Sequence, residues 1–514
     1  MLAKVDSMAV MGLDSYPIEV EADISKGLPS FNIVGLPDKA VEESKERVRS
    51  AIKNSGAKFP MQRITVNLAP ADLKKQGPAY DLAIALGILA ADKQIPEQKD
   101  INKNIFIGEL ALDGKLRKVA GILPIAIESL KRGYERIYLP SINAPESSLV
   151  DGLEIIPVEN LRDLIMHLKQ EKIIQRFKKT FDFPDQEKNI SDYDFAYIKG
   201  QEQAKRALEI AAAGGHNILM SGPPGAGKTL LAKSFGTILP TLNKEEMLEV
   251  TKIYSIAGLL SMDNPLIFKR PIRSPHHTAS HIAIVGGGTW PKPGEITLAH
   301  RGVLFLDELP EFSRSVLESL RQPLEDKVVT VSRAQGSLTF PANFTLIASQ
   351  NPCPCGFFGD IKHQCTCSAH QIAKYQKKIS GPLLDRIDIY LDIPQVKFDK
   401  LTSDNIAETS EKIRKRVILA RARQQKRFSD SNTVGNKIFT NSEMNQQKIK
   451  KYCTISEETK QILKQAVEQL NLSARAFYKI IKVARTIADL ENCESIKVDH
   501  IAEALQYRPK EKSY

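Results

Sequence analysis

A chain of 514 residues is too long for one hydrophobic core, so two to four domains are expected. It is 42% hydrophobic and 26% charged, with no apolar run near the roughly 18 residues of a membrane helix; Lys4, Asp6 and Asp14 interrupt any signal-peptide core, so the expected compartment is the cytoplasm. The excess of 72 Lys and Arg over 61 Asp and Glu gives a net charge of +11, compatible with a nucleic-acid partner and equally with a generic basic surface.

Residues 1–170 alternate short apolar runs with helical stretches. After Pro37, a segment with Val41, Val48 and Ile52 on one helical face stops at Gly56. RITVNLAP (63–70), NIFIGELAL (104–112) and RIYLP (136–140) read as strands around helices at 79–92 and 122–132, together a self-contained α/β domain. A charged stretch without periodicity, 171–192, reads as a linker. From 193 to 395 strands and helices alternate, as a parallel sheet with crossover helices requires. From 405 to 514 the pattern is helical throughout.

HNILMSGPPGAGKTLLAKSF (216–235) is an apolar strand, a glycine loop and a helix, in that order. Gly222, Pro223, Pro224, Gly225, Ala226 and Gly227 form a loop whose backbone N–H groups can wrap phosphates at the positive end of the helix dipole. Lys228 is placed to reach the β- and γ-phosphates of ATP and the Thr229 hydroxyl to bind Mg²⁺. Farther on, GGGTWPKPGEI (286–296) has the composition of a projecting loop. His276, His277 and His281 suggest metal ligands at first sight, with packing or polar contacts at a subunit boundary the plainer reading. In GVLFLDELPEF (302–312), a buried strand delivers Asp307, suited to Mg²⁺, and Glu308, suited to polarising the attacking water.

DKVVTVSRAQGSLTFPANF (326–344) alternates about a turn at Ala334 to Gly336 and reads as a β-hairpin carrying Lys327 and Arg333. The next strand, NFTLIASQNP, ends in Asn351, whose side chain can hold the water or the γ-phosphate. Cys353, Cys355, Cys365 and Cys367 follow as two C-x-C pairs nine residues apart. Four thiolates suit a structural Zn²⁺, with His363 or His370 able to replace one; reduced buried thiols are the alternative. Arg386, flanked by Asp385 and Asp388, can serve either as a finger into a neighbouring subunit's site or as an intramolecular ion pair. A basic helix at 411–428 packs Ile413, Val417 and Ala420 and leaves its charges to solvent, DNA or a subunit.

These motifs resemble the AAA+ superfamily, and more narrowly its Mg-chelatase-like branch, the ComM/YifB family, across essentially the whole chain. The resemblance implies sensor 1 at Asn351, the arginine finger at Arg386, and the sensor 2 arginine of a helical lid at Arg475, with Arg485 on the same helix as the rival. It implies a helix-2 insert after the phosphate-loop helix, and a pre-sensor hairpin lining a ring's pore, where Lys327 and Arg333 would hold DNA phosphates. Residues 1–170 resemble the Lon-type protease domain, also found in RadA-like recombination proteins. At the nucleophile and lysine positions stand Ala79 and Leu123, which excludes acyl transfer there. The expected fold class is therefore α/β, with an inactive Lon-like domain, an AAA+ P-loop core and a C-terminal α-helical lid. The function implied is that of a homohexameric ATP-dependent DNA helicase driving branch migration during natural transformation. It would act on single-stranded and branched DNA, with recombinase-associated proteins as further partners and no membrane. The alternative is a chelatase motor that inserts Mg²⁺ or Co²⁺ into a tetrapyrrole.

Overall fold

The computed structural model describes residues 2–96, 103–178, 193–261, 264–288, 292–333, 336–360, 363–396, 407–429, 438–470 and 472–509. Chain contacts divide it into two compact units. The first comprises Met1–Pro184 with Lys244–Ile267, the second Asp185–Asn243 with Phe268–Tyr514.

The first unit opens on a long antiparallel hairpin, β1 (Leu2–Met11) and β2 (Asp14–Ser25), turning where Met11 faces Asp14. Gly12 adopts φ 63°, the left-handed conformation that such a tight turn demands. With β3 (Ser30–Val34) and β4 (Arg63–Ala69) these make a sheet in the order β1-β2-β4-β3. Alternate residues of β2, Ile18, Val20, Ala22 and Ile24, point into the core. Helix α1 (Lys39–Asn54) buries Val41, Val48, Ala51 and Ile52 in that core, and Asp38 caps it by accepting from the Val41 N–H at 2.9 Å. Helix α2 (Asp81–Ala91) is apolar on nearly all sides and lies inside. A second, parallel sheet follows: β5 (Asn104–Phe106), then, past helix α3 (Ile122–Lys131), β6 (Arg136–Pro140) and β7 (Glu154–Val158). The strands expected at 63–70 and 136–140 and the helices are present, whereas the strand expected at 104–112 ends at Phe106 and a separate short strand, Glu109–Leu110, follows; the pattern does not single out the first hairpin.

The helix Lys244–Ile256 packs on α3 and belongs to this first unit, although its sequence falls within the alternating stretch 193–395. The reason is physical. Met247, Val250 and Ile253 are buried, and Ser255 donates at 2.6 Å to Glu146, a buried carboxyl that also accepts from Asn143. Burial pushes the Glu146 pKa up, and the Ser255 and Asn143 donors oppose that shift. The Ser255 carbonyl in turn accepts from the Gly121 N–H at 2.9 Å.

The second unit is built on a five-stranded parallel sheet. Helix α4 (Glu202–Gly214) leads to β8 (Ile218–Ser221) and α5 (Lys228–Ile238), followed by β9 (Ile272–Arg273) and β10 (Val303–Leu306). Next come the hairpin β11 (Val328–Arg333) and β12 (Gly336–Pro341), then β13 (Thr345–Gln350) and β14 (Ile389–Asp392). The sheet order is β9-β10-β13-β8-β14. Because every pairing is parallel, all C-terminal strand ends lie on one edge.

Helices α6 (Ser410–Ser429) and α7 (Ala474–Leu490) share one continuous core with α4, α5 and the sheet, joining Val417, Phe428, Ile480 and Ile487 to Leu208, Leu231 and Phe235. Each such side chain contributes about 1.5–3 kcal/mol. The basic helix uses several of its charges internally. Buried Arg421 donates to the Ala212 carbonyl at the C-terminal end of α4, Arg416 pairs with Glu209, and Arg427 pairs with Asp489.

Candidate nucleotide site

The phosphate loop leaves β8 at Ser221 and enters α5 at Lys228. Gly225 and Gly227 have φ of 75° and 87°, a region that costs glycine little. Gly222 presses so close to the Ile393 carbonyl that a Cβ would stand 2.2 Å from its oxygen. Gly227 is the N-cap of α5 and no side chain caps the helix, so its first N–H groups remain for an anion. Lys228 is buried, and its ammonium donates to the carbonyls of Gly222 at 2.6 Å and Pro223 at 2.9 Å and to Asn351 Oδ1 at 3.1 Å. Burial lowers its pKa, and Asp307 and Glu308 oppose that shift.

The register Leu306↔Ala348 between β10 and β13 brings Asp307 beside Ser349, and β8 lies on the other side of β13. Thr229 Oγ1 donates to Asp307 Oδ2 at 2.8 Å, so the two predicted Mg²⁺ ligands already meet. Buried Ser349 donates to the other Asp307 oxygen and accepts the Glu308 N–H at 3.1 Å. Glu308 adopts φ 53°, unfavourable for a residue with a Cβ, and these two bonds help to hold it. Thus Lys228, Thr229, Asp307, Glu308 and Asn351 converge on one edge of the sheet. Ser349 is not part of any motif; the signal that marks it is a hydroxyl within the continuous buried run of β13, two residues before Asn351.

Beside the loop lies a cleft of about 350 Å³ lined by Tyr197, Ile198, Gln201, Gly225, Gly227 and Gln395, among others. Its walls combine apolar surface with backbone and amide groups, which suits a purine ring. No sequence motif pointed to it, because its walls come from three separated segments.

Arg386 lies elsewhere. It precedes β14, and its carbonyl accepts from Asn217, just before β8, which puts it at the edge opposite the phosphate loop. Its guanidinium pairs with Glu325 and donates to the Arg321 carbonyl at 3.1 Å, rather than pairing with Asp385 or Asp388. Asp388 instead accepts from the Asn217 N–H at 3.0 Å. Although burial opposes its ionisation, His216 and Lys479 hold its carboxyl well below the usual range. Arg475 reaches the same carboxylate, 3.1 Å from Glu325. Both arginines therefore sit together, away from the phosphate loop of their own chain. The rival Arg485 is fully buried against Asp489 and the Cys493 and Glu494 carbonyls.

The expected hairpin is present as β11 and β12, but Gly336 already pairs with Arg333 and so belongs to the strand and not to the turn; the turn itself and the Arg333 side chain lie outside the described residues. Lys327 caps the preceding helix at φ 60° before β11 begins, which places it at the hairpin's base; it is half-buried, and burial lowers its pKa. The four clustered cysteines do converge. Sγ atoms of Cys353, Cys355 and Cys365 lie 3.3, 3.5 and 3.7 Å apart, and all four Sγ atoms lie within 4.8 Å of one another. Zn–S bonds of about 2.3 Å put tetrahedral thiolates about 3.8 Å apart, so the set fits zinc. His363 stays outside it, its ring tilted against Phe357 with centroids 4.8 Å apart. Gly356, within the same loop, packs on Pro224 of the phosphate loop. Among the described residues, His276, His277 and His281 form no such group. In the first unit, Ala79 offers only its carbonyl, to the Gly108 N–H at 2.9 Å, and Leu123 is fully buried.

Family comparisons agree with this layout. The description "Magnesium chelatase, subunit ChlI" matches residues 194–401, "Subunit ChlI of Mg-chelatase" matches 20–143, and "Magnesium chelatase, subunit ChlI C-terminal" matches 407–508. Competence protein ComM of Haemophilus influenzae is 42% identical over 514 residues, spanning 99% of this chain and 97% of that protein. YifB of Escherichia coli K12 is 42% identical over 508 residues, again 99% and 97%. Lon protease 2 of Bacillus subtilis is 25% identical over 179 residues, 31% of this chain and 32% of its own length.

Proposed function

The chain belongs to the ComM/YifB family of Mg-chelatase-like AAA+ proteins, and on that premise we propose that it is a ring-forming ATPase that drives branch migration of DNA during natural transformation. The observation that carries this reading is the division of the catalytic groups between two edges of one sheet. Lys228, Thr229, Asp307, Glu308 and Asn351 occupy one edge, while Arg386 and Arg475 share Glu325 on the other. A neighbouring copy that presents its arginines to this phosphate loop completes the site, as in a closed ring, for which a homohexamer is the expected form.

In each site the loop N–H groups and Lys228 bind the ATP phosphates, and the cleft beside Tyr197 takes the base. Thr229 and Asp307 hold Mg²⁺, which neutralises phosphate charge. Glu308 takes the proton of the attacking water, Asn351 orients that water, and the incoming arginines stabilise charge on the transferred phosphoryl group. Cys353, Cys355, Cys365 and Cys367 hold a structural zinc. The Arg333 end of the hairpin contacts the DNA backbone within the pore. The chelatase reading draws on the ChlI match over 194–401. Turnover measured with single-stranded DNA, branched DNA, or a tetrapyrrole and its partner subunits separates the two. We expect stimulation by DNA that weakens as salt rises. An intact oligomer that neither binds DNA nor migrates a branched substrate at low salt would overturn the helicase reading.

A further inference from the structure

The segment that leaves β9 runs along the hydrolytic edge, because β9 pairs in parallel with β10, Arg273 opposite Leu304. Both its ends are fastened. Arg273 grips Glu295 through bonds of 2.6 and 2.7 Å, and Ser280 caps the helix His281–Val285 by accepting from the Ala283 N–H at 3.2 Å. Between these anchors, His277 brings Nδ1 to 3.8 Å from Glu308 Oε2. Its ring lies against His276, with centroids 4.1 Å apart, and meets Phe312 edge-on at 6.5 Å. His276 is itself steadied, with Nδ1 2.8 Å from Thr278 Oγ1. Glu308 has its main chain fixed by Ser349, while its carboxylate is half exposed. Among the described residues, no lysine or arginine forms an ion pair with that carboxylate.

We propose that His277 is a positioning residue for hydrolysis: its ring N–H holds the Glu308 carboxylate facing the attacking water. In that step the water oxygen bonds to the γ-phosphorus. The bond to the β–γ bridging oxygen breaks, its electron pair leaving with ADP, and a water proton passes to Glu308. Separations of this kind tighten to hydrogen bonds once substrate fills a site. Holding the base in one orientation raises the fraction of encounters that react, and leaves ATP binding to Lys228 and the loop. The inference rests on the reading of Glu308 as the group that takes the water proton.

The test compares His277→Ala, His277→Asn, His277→Phe and Glu308→Gln in the full chain, by steady-state ATPase and nucleotide binding. Loss of the imidazole should lower kcat about ten- to a hundredfold. KM and ATP affinity should stay within about twofold, the pattern of an interaction made during the chemical step. Asn, which keeps an N–H donor, should recover much of the rate. Phe, which keeps the packing on His276 and Phe312, should not. Rescue by Phe and not by Asn would assign His277 a packing role and overturn the proposal, as would an unchanged kcat in His277→Ala. If Glu308→Gln turned over normally, the reading of Glu308 would fail and this inference with it. If Glu308→Gln were inactive and His277→Ala normal, this inference alone would fail. Should the Ala variant fold poorly, the Asn and Phe pair carries the same decision.

Discussion

Lys228 spends its charge on two loop carbonyls and Asn351 until phosphate displaces them. Bonds to a charged group are worth about 1.5–3 kcal/mol each, so Lys228→Ala should weaken ATP binding roughly a hundredfold. Glu308→Gln keeps the side chain's shape and its main-chain bond to Ser349 but removes the base. It should bind ATP normally and hydrolyse it about 10²–10⁴ times more slowly. Equal loss of ATP binding in both variants, read by fluorescent-nucleotide titration, would contradict the roles assigned. Ser349 belongs to the same unit of chemistry: it holds one Asp307 oxygen while Thr229 holds the other, leaving the carboxylate poised for a metal.

Among the elements, the segment after β13 that carries Cys353 and Cys355 reaches the phosphate loop. It starts two residues after Asn351 and packs Gly356 on Pro224. Four gathered thiols at such short spacings repel one another once ionised, and a divalent cation resolves that repulsion. Zinc is expected to copurify at about one ion per chain. Cys353→Ser with Cys355→Ser should abolish it and lower both the melting temperature and ATP turnover. Elemental analysis of untagged, unchelated protein that finds no zinc would remove the site. The helix Lys244–Ile256 carries a different lesson. A stretch between two ATPase motifs buries its apolar face with α3, and its last turn satisfies Glu146, so sequence continuity and structural membership part company.

At the scale of the whole molecule, Lys228, Thr229, Asp307, Glu308 and Asn351 lie on one edge of the sheet and Arg386 and Arg475 on the other, so the proposed hydrolytic site needs two chains. Arg386→Ala should leave ATP affinity nearly unchanged and cut turnover about 10³-fold or more, the weight of an arginine finger. Mixing it with Lys228→Ala should restore activity, because some mixed interfaces combine an intact loop with an intact arginine. Absence of recovery in subunits shown to exchange would argue against action between copies. Glu325 shapes this expectation: it holds Arg386 and Arg475 within one chain, and on the proposed reading it releases them to a neighbour's phosphates.

The phosphate loop, the Asp307–Glu308 pair, the hairpin, the cysteine cluster and the Ala79 and Leu123 that stand at the Lon-like positions could all be read from sequence. Each depends on local chemistry: glycines where φ turns positive, acidic residues after a buried strand, alternation about a turn, thiols at close spacing. What needed the tertiary structure depends on partners distant in sequence. Ser349 reaches Asp307 through the β10–β13 register, His277 reaches Glu308 through the β9–β10 pairing, and Arg475 meets Arg386 only through Glu325. Lys327 stands half-buried at the hairpin's base, a place that its charge in the sequence does not disclose. Periodicity along a chain reports which face is buried; which residues meet across that face is decided by strand register and helix packing.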